Sequence, residues 1–127
     1  MPASTVIPVL AYEDVAEAVD WLCRTFGFTE RWRAGNHRAQ LAVGDGAVAV
    51  TQGPPQGRTT VMVRVDDVNA SYERARERGA RIIGAPADYP YGERQYTAVD
   101  LGGHTWTFSQ SIADVAPEEW GGTSVDL

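Results

Sequence analysis

"LAYEDVAEAV" at residues 10–19 and "VRVDDVNASY" at residues 63–72 can be laid over one another at an offset of about 53 residues. Self-similarity at a fixed period of this size is the mark of an architecture built by duplication. Each stretch opens on the end of a strand-like run, "TVIPVLAY" at 5–12 and "TTVMVRV" at 59–65, and then turns on an aspartate followed by valine, Asp14-Val15 in the first and Asp67-Val68 in the second. An aspartate there suits a helix N-cap, because its carboxylate accepts the backbone N–H groups that the first turn leaves unpaired. Glu17 follows Asp14 at capping-box spacing. Val15, Val19, Leu22 and Phe26 then recur at helical spacing and Gly27 supplies the stop. The second helix has a thinner apolar face, Val68, Tyr72 and Ala75, closed by Gly79.

Working outward, the period changes to that of strands. Residues 5–12, "TVIPVLAY", predict a first strand interrupted at Pro8, which has no N–H to give a ladder. After Gly27, "TERWRAG", "HRAQLAVG" and "GAVAVTQ" are short runs separated by turns, with Gly44-Asp45-Gly46 a hairpin connection. "GPPQG" at 53–57 breaks the chain near its middle. Beyond the second helix, "ARIIGAP", "RQYTAVD" and "HTWTFSQ" predict three more strands. Both halves therefore read β-α-β-β-β, giving one domain of two modules, about 1–53 and 54–127.

A chain of 127 residues with 43% hydrophobic and 22% charged residues carries enough apolar material for one core and too little length for two ordinary domains. The net charge of −6 and pI near 4.8 speak against nucleic acid, whose phosphates need a basic surface, and favour a cationic ligand at long range. Cys23 is the only cysteine, so no intramolecular disulfide can form. No stretch approaches the roughly 20 apolar residues that span a bilayer, and no signal-peptide pattern opens the chain. A cytoplasmic location without membrane contact is expected. There is no Gly-x-Ser-x-Gly elbow, GxGxxG or P-loop pattern.

The duplicated chain resembles the vicinal oxygen chelate superfamily of glyoxalase I, bleomycin-resistance proteins and extradiol dioxygenases. "FGF" after the first helix, "VRVDDV" entering the second module and "VDLGGHTWTFSQ" near the end carry the resemblance; in the last, Leu101 replaces the proline of the usual turn. The closing "FSQSIADVAPEEW" is similar to the PhnB-like, glyoxalase-like branch. The resemblance implies an α+β fold in which two βαβββ modules form a curled mixed sheet around a ligand cup, often with a divalent metal. Helices would cover the outer face. Trp106 and Phe108 are then expected beneath a helix, and Thr105, Thr107 and Ser109 in the cup.

Metal-dependent members carry a ligand on the first strand of each module, seven residues before the capping aspartate, and a glutamate on the last strand. Those positions are Ile7, Thr60 and Thr107 in this chain. Isoleucine offers no donor and threonine only a weak neutral one, so no metal and no other cofactor is expected. His37 and His104 stand outside any cluster with metal spacing, and His104, the turn histidine, is expected to make a structural hydrogen bond. The expected ligand-lining set is Ile7, Trp32, Gln40, Thr60, Met62, Arg94, Tyr96 and Thr107. Arg94 would offer its fork to an anionic group, and Trp32, Tyr89, Tyr91 and Tyr96 an aromatic wall. The C-terminal segment is expected to fray unless Trp120 anchors it against a partner subunit.

The leading expectation is a metal-free homodimer that binds a small, partly aromatic molecule, as bleomycin-resistance proteins do. The alternative is a glyoxalase-like lyase or isomerase in which Arg94, Tyr96 or His104 replaces the charge of the metal. A third possibility is an oligomerisation module whose cup is filled by its own side chains. The residues leave open which ligand is bound, whether it is turned over, and whether the modules pair within or between chains.

Overall fold

Alternation along eight strands sorts the side chains into two faces, and two helices cover one of them. The structure, a computed structural model, describes residues 5–54, 57 and 59–125. The first module runs β1 (Val9–Tyr12), α1 (Val15–Phe26), β2 (Thr29–Ala34), β3 (Arg38–Val43) and β4 (Gly46–Gln52). The second runs β5 (Thr60–Arg64), α2 (Val68–Glu77), β6 (Arg81–Tyr89), β7 (Glu93–Val99) and β8 (Thr105–Ser111), followed by a single 3-10 turn at Pro117–Trp120. Each module forms one four-stranded mixed sheet, in the orders β1-β4-β3-β2 and β5-β8-β7-β6. Only the first strand of each is parallel to its neighbour, as a crossover helix requires. The fold is α+β with two βαβββ modules.

The helix boundaries follow the capping chemistry. The Asp14 carboxylate accepts the Glu17 N–H at 3.0 Å, and Asp67 accepts that of Ala70 at 3.0 Å. The N–H of Val68 is met instead by Gln110 Oε1 of β8 at 2.9 Å, which ties α2 to its own sheet. Gly27 ends α1 in the left-handed region at φ 79°. A Cβ there would also lie 3.2 Å from Arg74 Nη1, because Arg74 of α2 reaches across to the carbonyls of Cys23 and Arg24. A cation is thereby placed at the negative end of α1. The first strand is shorter than its sequence run: pairing begins at Val9, and Pro8 contributes only its carbonyl, which accepts from Ala49 N.

One core joins the modules. Leu10, Tyr12, Leu41, Val48 and Val50 of the first sheet and Val15, Val19 and Leu22 of α1 belong to the same buried cluster as Tyr96, Trp106 and Phe108 of the second. Phe26 sits at the crossing, with ring centroids 4.9 Å from Phe108, 5.6 Å from Trp106 and 5.7 Å from Phe28. Such pairs add about 0.5–1.5 kcal/mol each beyond their buried area. Trp106 and Phe108 thus lie under the helices as the alternation predicts.

A second tie is polar. Asp100, at the end of β7, is buried and accepts four hydrogen bonds: Tyr12 OH at 2.5 Å, Trp106 Nε1 at 2.9 Å, and the backbone N–H groups of Gly102 and His104. Burial, with the Asp100 charge beside it, pushes the Tyr12 hydroxyl pKa far above the ordinary tyrosine range. His104 Nε2 lies 2.8 Å from the Ala11 carbonyl, the structural bond expected of it. The β7–β8 turn of one module is so fastened to the end of β1 in the other. No described helix is long and apolar enough to cross a membrane.

Candidate functional site

The uncovered faces of the two sheets are the candidate site, and their registers are equivalent. In the first module one row across the open face reads Val9, Ala49, Gln40 and Trp32. In the second the matching row reads Met62, Thr107, Thr97 and Gly84. Apolar side chains remain uncovered here: Met62 is 62% exposed and Trp32 39%. A cleft of about 320 Å³ runs along the seam, with Val6, Pro8, Val48, Val61, Met62 and Arg64 among its lining.

One row further along, the second sheet carries a polar rail. Ser109 Oγ donates to Glu93 Oε1 at 2.8 Å and accepts from Gln95 Nε2 at 3.0 Å; Tyr91 OH donates to Gln95 Oε1 at 3.1 Å. Arg64 Nη2 lies 3.3 Å from the same Glu93 oxygen, with its own side chain 72% exposed and that of Glu93 only 14%. Because these groups bond to one another, they are held in fixed positions rather than collapsed onto a ligand position. Tyr89, opposite Glu93 in the ladder, stacks on Tyr91 at 5.4 Å, and Trp120 meets Tyr91 edge-on at 5.7 Å. The C-terminal segment is therefore docked on its own chain, not frayed: Ile112 and Ala113 N–H groups bond to the Gly92 carbonyl.

The inherited metal position does not fit a divalent cation. Ile7 and Thr60 offer a hydrocarbon and an exposed hydroxyl, and Thr107 Oγ1 is engaged with Thr97 Oγ1 at 3.2 Å. Among the described residues no group of three or more His, Cys, Asp or Glu could hold an ion. His37 pairs with Gln52 at 3.3 Å on the exposed β2–β3 turn, away from any acid cluster. Nitrogen, thiolate or carboxylate donors are what such ions require.

Of the residues expected to line the cup, Trp32, Gln40, Thr60, Met62 and Thr107 share the open face, and Ile7 stands just ahead of β1, 37% exposed. Arg94 and Tyr96 do not. They alternate with Gln95 and so share the helix face, where Tyr96 OH lies 2.6 Å from Ser71 Oγ of α2 and burial pushes its pKa up to about 12. Arg94 is bound to Asn69 at 3.0 Å and Asp88 at 2.8 Å. Ser109 is on the expected face but completely buried beneath its partners. Glu93, Gln95 and Arg64 escaped the sequence reading; strict parity from Tyr96 and Ala98 places Glu93 and Gln95, and parity from Met62 on β5 places Arg64.

Residues 5–108 match the sequence profile of the Glyoxalase/Bleomycin resistance protein/Dioxygenase superfamily, and the chain belongs to that superfamily. Its structure is similar to that of TioX from Micromonospora sp. ML1, with 36% identity, a TM-score of 0.78, and 87% of this chain and 100% of that one covered. The bleomycin resistance determinant encoded on the transposon Tn5 superposes at 20% identity and a TM-score of 0.74, over 87% of this chain and 100% of that one. The fosfomycin resistance protein FosX from Mesorhizobium loti does so at 18% and 0.67, over 87% and 93%. An uncharacterized Mycobacterium bovis protein is 28% identical over 88% of this chain and 86% of its own.

Proposed function

We propose that this member of the glyoxalase and bleomycin-resistance superfamily is a metal-independent binding protein that sequesters a small, partly aromatic molecule such as an antibiotic, in cups completed by a second copy of the chain. The observation that carries the reading is the open face itself. Apolar and aromatic side chains, Met62, Trp32 and Tyr89, stand uncovered around a polar rail of fixed geometry, while the inherited metal positions hold Ile7, Thr60 and Thr107. A pocket of mostly apolar walls with a few oriented polar groups is what small-molecule sites use. The names of the Tn5 and FosX proteins point to antibiotics, and their likeness to this chain is one of fold.

A lyase or isomerase would need a positive charge to replace the metal. The three groups the sequence suggested for that work lie elsewhere: Arg94 and Tyr96 on the helix face, and His104 buried against Ala11. The test is elemental analysis of untagged protein purified without chelator, with thermal-shift series against nickel, zinc, manganese, iron and a panel of aromatic antibiotics. Expected are no stoichiometric metal, no stabilisation by ions, and stabilisation by an antibiotic recovered unchanged. One ion per chain with a matching rise in Tm, or a ligand recovered as product, would overturn the proposal.

A further inference from the structure

The two sheets share one irregularity, and it carries different chemistry in each. On β2 the register slips between Glu30, opposite Leu41, and Trp32, opposite Gln40, so Arg31 is an extra residue. On β6 the same slip between Ile82, opposite Ala98, and Gly84, opposite Thr97, makes Ile83 the extra residue. Both bulges fall at the outer end of the equivalent rows described above. Glu30 and Arg33 bond to each other, and Arg33 reaches Asp20 of α1, so both belong to the helix face. A bulge sets two residues against one on the partner strand, which puts Arg31 with Trp32 opposite Gln40 on the open face.

Arg31 is the one charged group with a stranded donor among the described residues. Its Nη2 is buried from solvent without a hydrogen-bond partner, whereas Arg33, two positions on, is bound twice to Glu30 and once to Asp20. A buried guanidinium nitrogen without an acceptor calls for an explanation, since such groups are nearly always paired. The fold does not demand it. At the equivalent place the second module manages with Ile83 and Gly84.

Resting on the reading of the open face as a small-molecule site, we infer that Arg31 is the recognition residue for a carboxylate on the ligand, and that Trp32 and Gln40 flank it as a flat apolar surface and an amide. A guanidinium presents parallel donors that match a carboxylate's two oxygens. An indole beside it takes the face of an attached ring. The ligand class is thus an aromatic acid. The chain's net charge of −6 gives an anion no long-range attraction, so selection would come from this local pairing.

Calorimetry with naphthoate, naphthamide and naphthylmethylamine tests this on the full chain, with Arg31→Met, Arg31→Lys and, as a control for bulk charge, Arg78→Met at the exposed end of α2, off the open face. The acid should bind the native protein about tenfold more tightly than the amide. Arg31→Met should abolish that preference, Arg31→Lys should keep part of it, and Arg78→Met should leave it unchanged. Amide or amine binding as well as the acid, or a preference that survives Arg31→Met, overturns the assignment of Arg31 while the binding function stands. A failure of all three probes to bind overturns the underlying reading as well. Sedimentation of Arg31→Met supplies a further check: dissociation of a dimer with acid preference retained would give Arg31 to a subunit contact instead.

Discussion

Replacing Asp100 by asparagine tests how the two modules are locked together. The carboxylate takes backbone N–H bonds from Gly102 and His104 on Oδ1, and side-chain bonds from Tyr12 and Trp106 on Oδ2. Backbone donors cannot turn, so in Asp100→Asn the new amide oxygen must take the Oδ1 place and the amide NH2 the Oδ2 place. The Tyr12 hydroxyl can rotate to accept from that NH2. The Trp106 indole cannot, and it is left as a fully buried donor facing a donor. A hydrogen bond to a charged group contributes about 1.5–3 kcal/mol, and an unsatisfied buried group costs about 1–3. Relief of the carboxylate's own desolvation offsets part of this. The expected loss, about 3 kcal/mol in urea unfolding at neutral pH, lies near the lower end of the summed ranges because of that relief. At about 2.1 cal/mol/K per residue, the unfolding entropy of such a chain turns that into a fall of about 10 °C in Tm. Tyr12→Phe, which leaves the charge and three donors, should cost less. Asp100→Asn with stability within about 0.5 kcal/mol of the native chain, the scatter of an ordinary surface substitution, would refute the four-donor account.

Two further expectations follow from the same geometry. Tyr96 keeps its proton in the folded state up to about pH 12, chiefly because it is buried, while an unfolded tyrosine loses it near 10; the unfolded state therefore binds fewer protons in that window and stability falls as pH rises through it. Tyr96→Phe should make the decline between pH 10 and 12 shallower in parallel denaturation series, and an unchanged slope would reject burial of the hydroxyl as its cause. Gly92→Ala should loosen the C-terminal segment, since at φ 83° a Cβ would collide with the Ala113 carbonyl oxygen. Limited proteolysis beyond Ser111 should then quicken, whereas Gly44→Ala, at φ 57° with nothing within 4 Å, should cost only about 1 kcal/mol and leave the tail protected.

The element order was legible because each local signal agreed with its neighbours: an aspartate cap, an apolar stripe and a glycine stop for each helix, and glycine turns between alternating runs. The site was legible only where parity was followed. In "ERQYTAV", Tyr96 and Ala98 mark the buried face, which assigns Arg94 to it and Glu93 and Gln95 to the other. Nearness to the turn-rich "DYPYG" outweighed that count and drew Arg94 into the expected cup. The bulge at Arg31 leaves no such mark. An edge strand without a partner on one side tolerates an extra residue, so nothing in "TERWRA" separates a slipped register from a regular one.

Duplication makes the differences between the halves informative. Corresponding rows, Val9-Ala49-Gln40 and Met62-Thr107-Thr97, are held by the same strand order and end at the same kind of bulge. Whatever the backbone needs at one position it needs at the other, so a residue required by the fold should have a counterpart of similar kind. The central, buried helix-facing positions obey this: Leu10 and Val50 in one sheet answer to Val63 and Phe108 in the other, all apolar. On the open face the pairs diverge, with Gln40 against Thr97, Arg31 against Ile83 and Trp32 against Gly84. Core packing does not account for divergence at uncovered positions, although the helix face diverges too at the sheet edge, with Glu30 against Ile82. A ligand that touches the two halves with different chemical groups would account for the open-face divergence, with a charged group and ring at Arg31 and Trp32 of the first module and hydrogen-bonding groups at the Ser109, Gln95 and Glu93 rail of the second.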